Sequence, residues 1–260
     1  MFRSGSTWCF NVARELLLLV YKRDRLLTVA REDVANVLHE ASGNDCWDVI
    51  IIIIKGHVLD DAARELVVNR SAAIIHSFRD PVDAIRSGMR AFNMSFEVCL
   101  RLVAQALDIA SLLERERHGC VIFYDDIINL PKELIASMAD QLNLPVSSSE
   151  VASIAHKLSL GKVREFTEEL TAAPEKFAAQ GRIADVGFSY YDTETFFHRR
   201  HVSASTCDDS QYQISEAQLV EICKRFAGYV DGHGRFLIRT SACSPGAFSK
   251  TLTTKLTEKR

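Results

Sequence analysis

The sequence lacks most of the features that assign a protein quickly. It has no C-x-x-C pair, and its seven cysteines (Cys9, Cys46, Cys99, Cys120, Cys207, Cys223 and Cys243) are scattered and odd in number. That excludes a disulfide framework as the organising device and leads us to expect a reducing compartment. No apolar run approaches the ~20 residues of a membrane span. Leu16–Tyr21 and Val49–Ile54 stop at six residues each. Arg14 and Glu15 break the apolar core that a signal peptide would need. Charge of one sign is also missing: 31 basic and 34 acidic residues leave a net charge of −3, with no general pull toward nucleic acid or anionic membrane. Any anion-binding site must therefore be local. There is no internal repeat, no low-complexity tract, and no G-x-x-x-x-G-K-[ST] loop. A cytoplasmic protein with no nucleic-acid partner and no membrane span is the expectation.

What is present is ordinary globular material, 260 residues at 47% hydrophobic and 25% charged. That is enough for one α/β domain of generous size or two small ones. The spacing predicts helices over 9–22, 82–91, 97–116, 131–142 and 215–230. Consecutive β-branched residues predict strands over 48–54, 72–78 and 120–124, in the pattern of strands covered on both faces. Strands alternating with helices read as a doubly wound α/β fold with a central parallel sheet. The stretch 181–213 reads as loop. A single domain is expected over 1–240, followed by a polar tail over 241–260.

Three segments carry candidate chemistry. The first is Arg3-Ser4-Gly5-Ser6-Thr7-Trp8, just before the first helix. A helix start leaves backbone N–H groups unpaired and bears partial positive charge, so it can cradle an anion. Gly5 lets the backbone approach closely, Ser6 and Thr7 bring hydroxyls, and Arg3 brings a planar charge, with Ser4 in the same cofactor-binding loop. Trp8 offers a flat face for a base, and Thr7 could cap the helix. The competing reading is a capped helix with an incidental glycine. In the second segment, the strand ending at Ile54 delivers Lys55-Gly56-His57 to the edge where open α/β sheets bind ligands. Lys55 could neutralise a transferring group, and a neutral His57 could take a proton. In the third, Arg79-Asp80-Pro81 follows another strand, with Ser87 two turns into the next helix. Arg79 could hold a phosphate in a fork and Ser87 could donate to a second oxygen, or Arg79 could simply pair with a carboxylate.

Together these segments resemble the motifs of the sulfotransferases that use 3′-phosphoadenosine 5′-phosphosulfate (PAPS). Arg3 to Trp8 resembles their [KR]-x-G-[ST]-T-W phosphosulfate loop, Lys55-Gly56-His57 their K-[TS]-H, and Arg79 to Ser87 their R-[ND]-P-x-D-x-x-x-S signature. The resemblance covers 2–145 well and 146–235 loosely. It implies a P-loop-like three-layer fold and PAPS as co-substrate, with no metal. It also implies His57 as base, assisted by Lys55 and Arg3, and a 3′-phosphate site at Arg79 and Ser87. Gly56 departs from the family's hydroxyl residue.

Tyr124-Asp125-Asp126 is similar to the family's Y-E-D-L and is expected to serve the scaffold. Phe197-His198-Arg199-Arg200-His201 is the nearest match to its R-K-G, so Arg199 or Arg200 could close over the nucleotide, or the stretch could be a basic surface. His198 and His201 as a metal pair lack partner ligands. The family's phosphosulfate loop follows a strand that would have to precede Met1, so the fold is expected with its first strand truncated, and a longer reading frame is expected. The acceptor, whether small molecule, glycan or lipid, is not named by any motif. Residues 250–254 resemble a dimer motif faintly, which leaves a homodimer open. An ATP-using kinase is the first rival, without its Walker lysine or magnesium carboxylate. A degenerate, non-catalytic sulfotransferase-fold protein that binds nucleotide or a partner is the second.

Overall fold

The structure, a computed structural model, describes residues 4–43, 51–185, 190–198 and 212–236. In chain order it contains α1 (Ser6–Val20), a single 3-10 turn (Arg23–Arg25), β1 (Leu26–Ala30), α2 (Val34–Gly43), β2 (Ile51–Lys55), α3 (Asp61–Val68) and β3 (Ile75–Phe78). There follow α4 (Pro81–Phe92), α5 (Phe96–Glu116), β4 (Cys120–Phe123), α6 (Tyr124–Asn129), α7 (Pro131–Gln141) and α8 (Ser148–Lys157). The last elements are α9 (Leu160–Ala172), α10 (Pro174–Ala178), β5 (Ile183–Asp185), β6 (Tyr190–Asp192) and α11 (Glu216–Arg225).

The expected parallel pairing is present. β1 pairs with β2 from Leu26↔Ile51 to Ala30↔Lys55, and β3 pairs with β4 from Ile75↔Cys120 to Phe78↔Phe123. Parallel neighbours need a crossover, and α2 supplies one while α4 and α5 supply the other. Among the described residues the two pairs are not hydrogen-bonded to each other. α1 packs against both β2 and β3 and so bridges them. Its apolar stripe recurs at helical spacing, with Val12 and Leu16 fully buried, and it meets Ile122 of β4, Ile135 and Met138 of α7 and Ile154 of α8 in one core. A second core lies on the other side, where α4, α5 and α11 cover Phe78 and Val121. Helices thus flank the strands on two sides, as the α/β reading requires.

Two expectations are corrected. The 181–213 stretch is not all loop, because β5 and β6 form an antiparallel hairpin from Ile183↔Asp192 to Asp185↔Tyr190. Strands of three residues are too short to show a period, so composition alone hid them. Asp192, wholly buried, holds the hairpin: Arg182 Nε donates to it at 2.7 Å, and the Thr195 N–H and hydroxyl donate at 2.8 and 2.6 Å. The cysteines, too, are not uniformly thiols. Cys9, Cys99 and Cys223 are free, whereas the buried Cys120 is disulfide-bonded. No helix among the described residues is long and apolar enough to cross a membrane. The tail 241–260 lies outside the described residues.

Candidate functional site

The chain turns into α1 at Gly5, whose φ of 88° places it in the left-handed region. A side chain there would be strained, and its Cβ would run into Ile127 of α6. Thr7 is not the cap; Gly5 occupies that position, and no side chain caps the helix. The first intrahelical bond is Cys9 N–H to Gly5 O at 3.0 Å, which leaves the N–H groups of Ser6, Thr7 and Trp8 outside the helical ladder. Ser4 anchors the turn from behind: it is fully buried, and its hydroxyl reaches the Ser77 carbonyl and hydroxyl of β3, each at 2.8 Å. The Trp8 indole N–H donates to the Leu158 carbonyl at 3.1 Å, fixing the ring against the α8–α9 junction.

These residues open onto a cavity of about 370 Å³. Gly5, Ser6, Thr7 and Trp8 form one wall, and Lys55, His57 and Arg79 reach in from the ends of β2 and β3. The placement follows the rule for open α/β sheets, that ligands bind beyond the carboxyl ends of the strands. Phe92, Met94, Leu160, Val163 and Phe197 add an apolar wall. Among the described residues, the lining contains Lys55 and Arg79 but no aspartate or glutamate, so the field in the cavity favours an anion. Three separated sequence segments therefore converge on one concave surface.

The arginine's position is fixed by an aromatic. Arg79 lies over the Tyr124 ring, 4.4 Å from its centroid, so Tyr124 helps build the site rather than only the scaffold. Ser87 is buried on α4 and is not among the residues that line the cavity. Asp80 begins α4 with Pro81 in its first turn, but its carboxylate makes no side-chain cap bond; it accepts from the Phe236 N–H at 2.9 Å. Arg3, Arg199 and Arg200 lie outside the described residues. His198, next to Arg199, does line the cavity. The β5–β6 hairpin and the turn after it carry it there; Asn11 holds that turn through the Thr195 carbonyl at 2.8 Å. Among the described residues no group of three or more His, Cys, Asp or Glu could hold a metal.

Burial depresses two charges in the site. Desolvation lowers Lys55 to about 8, against the opposing pull of Glu32. Desolvation also lowers His57, helped by the Lys55 charge and opposed by its hydrogen bond to Glu32. His57 is therefore neutral at pH 7, in the state a base needs. Behind it, His76 of β3 is buried, bonds the Ala106 carbonyl at 3.1 Å, and is held well below its ordinary value by burial.

Glu32 is the residue the sequence reading missed. It stands in the turn after β1, and its carboxylate contacts both the side chain and the backbone of His57. The one available signal was its place after an apolar run, Leu26 to Ala30, but the neighbouring Arg31 and Asp33 made the turn look like solvated surface.

Two predictions arise from this geometry. Gly5→Ala should destabilise the fold by about 1–3 kcal/mol, the cost of a non-glycine residue held at such a φ, and should weaken anion binding at the turn. Thermal unfolding checks the first; an unchanged melting temperature would mean that the turn relaxes without strain. For the pH dependence, the neutral forms of His57 and His76 are favoured by folding, so the unfolded chain binds more protons. Their contribution to stability is present above about pH 6.5, the ordinary histidine value, and is lost as pH falls through the lower folded values. Melting at pH 7.5 and 5.5 should show the loss on the acid side.

No protein-family model matches the chain, and no curated protein does. The fold nevertheless belongs to a known class. Mouse sulfotransferase SULT7A1, solved in complex with PAP, superposes with a TM-score of 0.51 at 12% identity, over 88% of this chain and 83% of that one. The likeness shows the fold.

Proposed function

We propose that the protein is a sulfotransferase that takes a sulfonate from PAPS and places it on a hydroxyl or amine of a small-molecule, glycan or lipid acceptor. The observation that carries this reading is the meeting, in one cavity with no acidic side chain among its described lining residues, of the Gly5–Trp8 turn, Lys55, His57 and Arg79. The PAP-bound fold neighbour supports it.

PAPS supplies an activated sulfonate, and the chain supplies position and charge. The N–H groups at the start of α1 face the 5′-phosphosulfate and, with Lys55 and Arg3, offset charge on the sulfonate and the leaving phosphate. Arg79, steadied by Tyr124, holds the 3′-phosphate, which selects PAPS over ATP-like nucleotides; Ser87, buried on α4 outside the cavity lining, is not counted as a contact. Trp8 offers its face to the adenine, and Arg199 or Arg200 closes over the nucleotide. His57 takes the acceptor's proton as the new bond to sulfur forms. The bond from sulfur to the 5′-phosphate oxygen breaks, that oxygen keeps the electron pair, and 3′-phosphoadenosine 5′-phosphate (PAP) is released. Catalysis is mainly positioning and preorganised electrostatics.

Incubating the protein with ³⁵S-labelled PAPS and a panel of phenols, sterols, sugars and amines tests this directly. Label should move to at least one acceptor. Transfer to none, by protein shown to be folded, would favour the non-catalytic binding protein.

A further inference from the structure

The loop Lys55-Gly56-His57 departs from the resembled motif at one place, and the structure shows what stands against it. Glu32 reaches across from the β1–α2 turn and engages His57 with both carboxylate oxygens. Oε1 lies 3.0 Å from Nδ1, while Oε2 accepts the backbone N–H groups of His57 and Val58 at 2.7 and 2.8 Å. Gly56 leaves room for this. A Cβ at Gly56 would lie 3.0 Å from Glu32 Oε2 and 3.1 Å from the Arg31 carbonyl, closer than side chains ordinarily pack. The turn that carries Glu32 is itself tied down. Arg31 N–H continues the parallel ladder to the Lys55 carbonyl at 3.1 Å, and the Arg31 guanidinium binds Asp33 and Glu40.

The geometry points to Glu32 as a positioning residue for His57, one that fixes the ring proton on Nδ1 and makes Nε2 the nitrogen that receives the acceptor's proton. This rests on the sulfotransferase reading for its chemistry but not for its geometry. A carboxylate can only accept, so the imidazole must offer it Nδ1–H, and the basic lone pair is then at Nε2. When the acceptor's oxygen attacks sulfur, its proton moves to Nε2 and an imidazolium forms. Glu32, still ionised, faces the new charge. Partial burial pushes the Glu32 carboxyl up, but the His57 side chain and the two N–H groups outweigh it and hold the group at about 2. The carboxylate is therefore charged throughout the working range. The other charged and titratable groups around the ring are Lys55 of β2, His76 of β3, and Arg79 and His198 on the cavity wall. Gly56 and Glu32 form a matched pair: a side chain at the motif's centre would crowd the carboxylate at 3.0 Å.

The test reads the tautomer itself. In long-range ¹H–¹⁵N spectra of the ¹⁵N-histidine protein, with the His57 signal assigned by its loss in His57→Ala, the ring should be protonated at Nδ1. In Glu32→Gln the amide can present N–H to that nitrogen, so the ring should shift toward the Nε2–H form. Glu32→Asp, which keeps a carboxylate, should restore much of the Nδ1–H form. With a working acceptor, Glu32→Gln should lower kcat by about 10²-fold with the KM for PAPS unchanged. The acid limb should move to lower pH, because the partner that raises the imidazole's pKa is gone. In a His57→Ala background the same change should have no further effect on kcat.

An Nε2–H ring in the native protein, or an unchanged tautomer in folded Glu32→Gln, would overturn the inference. So would an equal further loss of kcat in the absence of His57. If the tautomers behave as expected but labelled PAPS gives no product, the sulfotransfer reading fails and the positioning of His57 by Glu32 stands.

Discussion

Replacing His57 with alanine should lower kcat for sulfonate transfer by about 10²–10⁴-fold, the usual contribution of a positioned base, with PAP affinity largely unchanged. The asymmetry follows from where the residue sits. His57 reaches the cavity from the turn beyond β2, backed by Glu32, and it is neutral. It offers no charge for holding an anionic nucleotide, so removing it costs the reaction and not the binding. For the same reason kcat/KM, which reports the free enzyme, should be bell-shaped. Its acid limb should lie below the ordinary histidine value of about 6.5, because burial lowers His57. Its alkaline limb should fall near 8, where Lys55 loses its charge. Intact turnover in His57→Ala would remove the residue from the role of base. An acid limb above pH 6.5 would show that another group titrates.

Arg79→Ala should have the opposite signature: loss of nucleotide binding. Charge-assisted bonds from an arginine fork to a phosphate contribute about 1.5–3 kcal/mol each, so PAP affinity should fall by at least one order of magnitude. The discrimination of PAP over AMP should largely disappear, since the lost contact is the one to the 3′-phosphate. Tyr124 makes the prediction sharper. It holds the guanidinium by its ring face, 4.4 Å away, so Tyr124→Leu should reproduce a weaker form of the same defect. If Arg79→Ala weakened PAP and AMP binding equally, Arg79 would be a general anion contact and the 3′-phosphate assignment would fail.

How far the sequence could be read depended on length and on charge. The runs that became β2 and β4, and the stripe that became α1, carry at least four apolar residues, and β3 begins in the apolar stretch Ala72 to Ile75, long enough for burial to dictate the element. The Lys55, His57 and Arg79 positions were legible because each lies at or within two residues of the end of a strand. β5 and β6 were not, at three residues each, and their placement depends on Asp192, Arg182 and Thr195 meeting across the chain. Glu32 was hidden for a similar reason. Its partner, His57, is 25 positions away, and the contact exists only because β1 and β2 pair in register. Ser4 illustrates the converse. It stands inside a ligand-binding motif, yet its hydroxyl bonds Ser77 and holds the turn to β3. A side chain that supports a loop and one that contacts its ligand look alike in a motif; burial separates them.

The most direct test of the central claim is calorimetric titration of the protein with PAP, with AMP and ATP as controls. The account predicts saturable PAP binding that requires the 3′-phosphate, is much weaker for AMP and ATP, and falls in Arg79→Ala. Equal affinity for all three nucleotides, or no binding of PAP by folded protein, would contradict it.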